Sequence, residues 1–248
     1  MRSFFILWRK ELAGYFLSPV AYATMTFFLA VMGTVFYFLV GLLASGVPGV
    51  GVLNLMFGSP FYWMAQMIVV PLLTMRLFAE ERRMGTLETL LTAPVTDGQV
   101  VGAKFAGVLT FYIIMWIPTV IFLYSLRWFS AEAPVIDPGM LGTAYLGVFL
   151  GGSMFLAMGL LCSLTTANQI IAAIACFMML IVVFFTGFIE FVLPVKNAPV
   201  FADLLSPHRH LLEFSRGIMD TRSVVLYVSG SFFFLFTSVR ILEARRWK

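Results

Sequence analysis

Charged residues are scarce in this sequence. Asp, Glu, Lys and Arg make up 11% of the 248 residues, about half of the fraction that soluble domains carry. Hydrophobic residues make up 61%, and the mean hydropathy is +0.98. This composition indicates an integral membrane protein and leaves no room for a soluble catalytic domain. We attribute the formal net charge of +4 to membrane topology, and we predict no nucleic-acid binding.

Motifs for enzymatic chemistry are also missing. The chain has no Gly-x-x-x-x-Gly-Lys-Ser/Thr loop, no Gly-x-Ser-x-Gly turn and no His-Glu-x-x-His helix. If ATP drives the protein, a partner chain hydrolyses it. The only cysteines, Cys162 and Cys176, both fall in predicted spans. We interpret them as small apolar packing residues, since no disulfide framework is present.

Potential metal ligands and buried ionisable groups are few. The two histidines, His208 and His210, have only Asp203 and Glu213 as nearby carboxylates, so we predict neither a metal site nor a catalytic residue. No ionisable residue lies at the centre of a predicted span. Proton- and ion-coupled transporters usually need one there. The absence argues against secondary transport and suggests an apolar or amphipathic route, if anything passes through at all.

Long apolar runs dominate the sequence. Six of them are long enough to cross a bilayer as helices. The amphipathic pattern of residues 1–18 predicts a helix that lies in the membrane interface. We predict an all-α integral membrane protein, with one transmembrane domain over residues 1–248. The six predicted spans are 20–44, 61–78, 100–126, 140–164, 170–189 and 223–242.

The segment 190–222 is too polar to span the membrane and too apolar to be a free linker. A structureless loop of this length is uncommon in compact proteins, so we predict short external helices. Ser206 and Pro207 suit a helix start, and Gly217 suits a stop before a new cap at Asp220. The loop between the first two spans is rich in turn residues and uncharged, and no helix is predicted there.

Basic residues are unevenly distributed over the two sides of the membrane. Six spans put both ends of the chain on the same side. Eleven Lys and Arg residues lie on the side of the termini and of the segment 79–98, against five on the other side. The positive-inside rule therefore predicts that both termini are cytoplasmic.

The segment 79–98 is the densest polar stretch in the first half of the chain. Glu80, Glu81, Arg82 and Arg83 extend the second span beyond the lipid, and Glu80 and Arg83 share one helix face. The alternative interpretation of this segment is a solvated loop between two spans, whose charges only set the membrane topology.

A short amphipathic helix is predicted next. Gly85 allows the backbone to turn, and Pro94 ends the helix because the residue before a proline leaves the α region. We expect the chain itself to leave the apolar face uncovered. Thr96 and Gln99 have the spacing of a capping box for the third span. The apolar face consists of Met84, Leu87, Leu90 and Leu91.

This segment resembles the coupling segment of ABC-2-type ABC transporter permeases. The resemblance is carried by Glu80-Glu81-Arg82-Arg83-x-Gly85-Thr86-Leu87-Glu88-x-Leu90-Leu91-x-x-Pro94-Val95, followed by Lys104. It implies that the short helix docks into a groove on a separate ATPase subunit. The residues that the resemblance assigns to ATPase coupling are Glu80, Glu81, Arg82, Arg83, Gly85, Thr86, Leu87, Glu88, Leu90 and Leu91.

The last third of the chain is similar to gliding-motility-associated (GldF-like) permeases of the same family. Together with the segment 79–98 and the turn Thr166–Ile171, the similarity covers essentially the whole chain. The external residues that carry it include Ser206, Pro207, Phe214, Gly217 and Asp220.

The resemblance implies a non-catalytic permease subunit of an ATP-driven exporter in the bacterial inner membrane. Its expected partners are cytoplasmic ATPase subunits, a second permease subunit (like or unlike), a periplasmic or membrane accessory protein, and membrane lipid. This chain would hold no cofactor, since the ATPase binds ATP and Mg. A further possibility within the family is that the complex transmits force or moves lipid-linked partners and does not pump a solute. The alternative is a polytopic membrane protein that works without ATP, such as a channel or a membrane-embedded enzyme.

Overall fold

The computed structural model describes residues 2–45, 51–87, 95–129, 137–186 and 206–246, and all regular structure in these ranges is helical. Predictions that fall on residues 88–94 and 187–205 lie outside the described residues. The helices are α1 (Arg2–Phe16), α2 (Pro19–Ala44), α3 (Val52–Gly58), α4 (Pro60–Thr74), α5 (Ala79–Arg83), α6 (Asp97–Phe129), α7 (Pro138–Thr165), α8 (Gln169–Thr186), α9 (Pro207–Ser215) and α10 (Thr221–Arg246).

The six predicted spans are confirmed. Helices α2, α6, α7, α8 and α10 are each long and apolar enough to cross a membrane. The second span is Pro60–Arg83, in which a turn after Thr74 separates α4 from α5. The predicted capping box starts the third span, since Gln99 N donates to Thr96 Oγ1 at 3.3 Å and Thr96 N to Gln99 Oε1 at 3.4 Å.

Helix α7 is the most buried span. Its glycines let other helices approach closely, as the density of small residues predicts. A Cβ at Gly147 would lie 2.8 Å from the Phe214 ring, and a Cβ at Gly159 would overlap the side chain of Thr74. Helices α4 and α9 therefore pack against α7 at distances that larger residues would not allow.

Helix α1 packs along the first half of α6. Trp8 Nε1 donates to Thr110 Oγ1 at 3.2 Å, and a Cβ at Gly107 would lie 2.9 Å from Glu11 Cβ. The helix predicted for residues 1–18 is thus confirmed, and its polar residue Glu11 faces another helix of the protein.

Two short helices cover the other end of the bundle. Helix α9 lies within the segment 190–222, where a short helix is predicted, whereas α3 lies between the first two spans, where no helix is predicted. They contact each other: Ser215 Oγ donates to Asn54 Oδ1 at 3.1 Å, and a Cβ at Gly58 would lie 2.8 Å from Leu212 Cδ2. The seven residues of α3 are too few for hydrophobic periodicity to predict a helix. A helix this short is stabilised mainly by tertiary packing, which the sequence does not reveal.

Candidate functional site

The second span ends in a network of polar contacts, which we call the junction: Glu11, Ser18, Arg76, Glu80, Glu81, Arg82, Lys104 and Ser163. These residues come from α1, the α1–α2 turn, the end of the second span, α6 and α7. Four of them stand in the segment 79–98 or just before it. The junction therefore fixes the base of this segment to the rest of the protein.

Lys104 is the most buried charge of the junction. Its side chain is only 3% exposed, and its Nζ lies 2.9 Å from Glu11 Oε1 and 2.8 Å from Glu81 Oε1. The Phe78 ring covers it, with 5.1 Å between Nζ and the ring centroid. Because such a cation is stable inside a protein only when it is paired, this contact holds α1, α5 and α6 together. Glu81 Oε2 is buried without a hydrogen-bond partner among the described residues.

Glu80 forms a second ion pair at the surface of the junction. Arg76 binds it through two bonds, from Nε to Oε2 at 2.7 Å and from Nη2 to Oε1 at 3.1 Å. Arg76 Nη1 also donates to Ser18 Oγ at 2.7 Å. Glu80 thus pairs with the residue four positions before it, whereas Arg83, which shares its predicted face, is exposed.

Ser163 joins the same region to α7. Its Oγ accepts from Phe78 N at 3.0 Å and Ala79 N at 3.1 Å, and donates to Met75 O at 3.0 Å. One hydroxyl therefore satisfies three backbone groups that the break between α4 and α5 leaves open. Arg82 Nη1 donates to Leu164 O at 3.1 Å, which adds a second link to α7.

Tyr15 fixes α1 against the second span. Its hydroxyl donates to Leu73 O at 2.7 Å, and its ring stacks on Phe111 with 5.1 Å between centroids. Burial raises the pKa of Tyr15 well above its usual range, and the nearby negative charge of the Glu11 carboxylate raises it further. The phenol therefore stays protonated and keeps its hydrogen bond.

The chain turns at Gly85, as predicted. Its φ of +69° lies in the left-handed region that glycine adopts most readily, and Thr86 Oγ1 donates to Glu81 O at 3.4 Å. Met84 is 61% exposed, but Leu87 is only 7% exposed and belongs to the hydrophobic core. The expectation that the chain leaves this apolar face uncovered is wrong for Leu87. Glu88, Leu90 and Leu91 lie outside the described residues.

The residues of the segment 190–222 with predicted roles cluster around α9. Ser206 Oγ accepts from Arg209 N at 3.4 Å and caps the helix, with Pro207 as its first residue. Gly217 ends it with a φ of +82°, and Ile218 N donates to Glu213 O at 3.0 Å.

Two further contacts complete this cluster. Asp220 Oδ1 accepts from Arg222 N at 2.9 Å at the start of α10. Phe214 is buried against Gly147. The capping pattern predicted for this segment is therefore confirmed.

The two histidines have separate surroundings. His208 Nε2 lies 3.4 Å from Gly58 O, whereas His210 Nδ1 lies 3.2 Å from the Tyr227 hydroxyl. They thus contribute to the packing of α9 against α3 and α10.

Sequence reasoning missed Glu11, Ser18 and Ser163 as members of the junction. Glu11 pairs with a residue 93 positions away, and Ser163 bonds residues 84 to 88 positions away. No local pattern encodes such distances. The one available signal is that Glu11 is the only acidic residue on the polar side of α1 and that Lys104 lies near the start of the third span.

The fold and the junction define a helical multi-pass membrane protein with an anchored polar segment after its second span. In a comparison with protein families, the model described as ABC-2 family transporter protein matches residues 47–208. The chain belongs to this family and is the permease subunit of an ABC transporter. Permeases of the family generally pair with a cytoplasmic ABC ATPase. A comparison with curated proteins found no match.

Proposed function

We propose that the segment from Glu80 to Leu91 is the site where a cytoplasmic ABC ATPase docks and transmits its conformational change. The observation that carries the proposal is the junction. Lys104, Arg76 and Ser163 tie the base of this segment to α1, α6 and α7. A push on the segment would therefore move several spans together, because a rigid, paired base transmits displacement where a loose loop absorbs it.

The exposure of two apolar side chains supports a particular choice of docking residues. Leu87 is buried in the protein's own core, so it supports the segment from within. Met84 is the large apolar side chain that the segment exposes among its described residues. We therefore infer that Met84 contributes to the contact, together with Leu90 and Leu91, which the resemblance assigns to it.

The wider assembly follows from the resemblance and the charge distribution. Both termini lie in the cytoplasm, the membrane is the bacterial inner membrane, and two permease subunits, like or unlike, join two ATPases that hold ATP and Mg. We place the protein in the gliding-motility-associated branch, where a periplasmic or membrane accessory protein completes the complex. The complex then exports a substrate or moves such a partner.

A photo-crosslinking amino acid at Met84 tests the docking site directly. The matched control is Met219, which is 54% exposed and lies at the opposite end of the bundle, between α9 and α10. In membranes that contain the complete complex, the position 84 adduct should contain an ABC ATPase, identified by its mass, and the position 219 adduct should not. An adduct of the ATPase at position 219 alone, or at neither position, would contradict the proposed docking site.

A further inference from the structure

A cavity of about 280 Å³ lies next to the junction. Its walls come from the end of α1, the beginning of α2, the end of α4 and the beginning of α5. The first candidate span starts at Pro19, and the second ends at Arg83. A cavity between the start of one span and the end of the next lies at the membrane surface, on the side of the N terminus.

The lining of the cavity has two parts. Glu11, Ser18, Arg76 and Glu80 form a polar part, whereas the remainder is mainly apolar and includes Leu72. An amphipathic molecule with a charged head suits such a lining better than a purely polar solute does.

The apolar residues beside the cavity are exposed rather than covered by protein. Leu17 is 83% exposed and Phe16 is 40% exposed; Phe16 is the last residue of α1, and Leu17 lies in the turn that leads to the first span. Apolar side chains of an interfacial helix enter the boundary between the headgroups and the acyl chains. The cavity therefore opens next to the bilayer, where phospholipids are present at high local concentration.

The polar part offers both signs of charge. Arg76 uses Nε, Nη2 and one N–H of Nη1 in the bonds to Glu80 and Ser18, and a guanidinium has further N–H donors for a phosphate oxygen. Glu11 gives Oε1 to Lys104, which leaves Oε2 as an acceptor. The lining therefore holds two carboxylates, Glu11 and Glu80, and one cation, Arg76. This balance disfavours a purely anionic headgroup.

We propose that this cavity binds a phospholipid whose headgroup carries a primary amine. The phosphate accepts hydrogen bonds from Arg76, the ammonium donates to Glu11, and the first methylenes of the acyl chains lie on the apolar wall. The proposal does not depend on ATPase docking, since all of its residues lie within this chain. The bound lipid would brace α1 against the second span beside the junction.

Native mass spectrometry can test the proposal on the full chain in nanodiscs. The discs contain equal parts of phosphatidylethanolamine, phosphatidylcholine and phosphatidylglycerol. Among the retained lipids, phosphatidylethanolamine should be enriched about tenfold over phosphatidylcholine, because the quaternary ammonium of phosphatidylcholine cannot donate a hydrogen bond. A tenfold preference corresponds to about 1.4 kcal/mol. Glycerophosphoethanolamine, which has the headgroup without acyl chains, should not displace the lipid at equal concentration.

We expect Gly14→Leu to fill the cavity without disturbing the fold. Gly14 lines the cavity, and a Cβ built there meets nothing within 4 Å. The matched control is Gly33→Leu, since Gly33 also lies in a helix with nothing within 4 Å of its Cβ. Gly14→Leu should abolish the enrichment, and Gly33→Leu should retain it.

Three results would overturn the proposal. Equal enrichment in wild type and Gly14→Leu would place the lipid elsewhere on the protein. Preferential retention of phosphatidylglycerol would show that the amine is not recognised. Displacement by glycerophosphoethanolamine would show that a soluble headgroup compound, rather than a membrane lipid, is the occupant.

Discussion

Replacing Lys104 by methionine tests whether the junction holds the second span in place. The variant keeps the apolar stem but leaves two carboxylates without their cation, in a site where Lys104 is 3% exposed and Glu11 and Glu81 are 15% and 16% exposed. Removing one partner of a buried ion pair costs about 3–5 kcal/mol. Because both carboxylates keep some contact with water, we expect the lower value, about 3 kcal/mol.

The assay is thermal unfolding of the purified protein in detergent. A loss of about 3 kcal/mol lowers the midpoint by about 6–12 °C in a protein of this size. Lys10→Met is the matched control, because Lys10 is exposed, and it should change the midpoint little.

A rescue variant separates charge from packing. If Glu11→Gln and Glu81→Gln are added to Lys104→Met, no buried charge remains uncompensated, and most of the lost stability should return. An unchanged midpoint for Lys104→Met alone would refute the reasoning, as would a triple variant less stable than the single one.

Three further predictions concern the fold. Topology reporters fused after Lys248 and within residues 92–98 should report a cytoplasmic location, and a reporter near Asn197 should report an external one. An external C terminus would contradict the six-span topology. Gly159→Leu should lower stability in detergent by about 1–3 kcal/mol, because its side chain would overlap Thr74. Gly142→Leu should not, since nothing lies within 4 Å of that Cβ, and equal midpoints would contradict the packing of α4 on α7. Amides of α9 should exchange with solvent more slowly than those of residues 46–51, whereas equally fast exchange would show a plain linker.

Local signals predicted much of the fold. Apolar runs located the six spans, because a bilayer demands a minimum length of apolar helix. Caps and turns were equally visible, since Thr96 with Gln99, Ser206 with Pro207, and Gly217 act within a few residues of themselves. The glycines of α7 predicted close packing, although not which helices they would meet.

Long-range pairing could not be predicted. Glu11 and Lys104 show only that an acid and a base exist, and the fold alone brings their atoms to 2.9 Å. The same holds for Leu87, which is indistinguishable by sequence from an exposed residue of an amphipathic helix and becomes buried by tertiary packing. Helix α3 has part of its contacts with α9, whose residues come 150 or more positions later.

The coupling role is tested most directly by ATP hydrolysis in the reconstituted complex of permease and ATPase. Met84→Asp places a charge on the exposed apolar side chain of the segment, where burial at a contact is worth about 1.5–3 kcal/mol. We expect this variant to lose most of the permease-stimulated hydrolysis and Met219→Asp, a control of similar exposure, to keep it. Stimulation at the wild-type level by Met84→Asp would contradict the proposed coupling role.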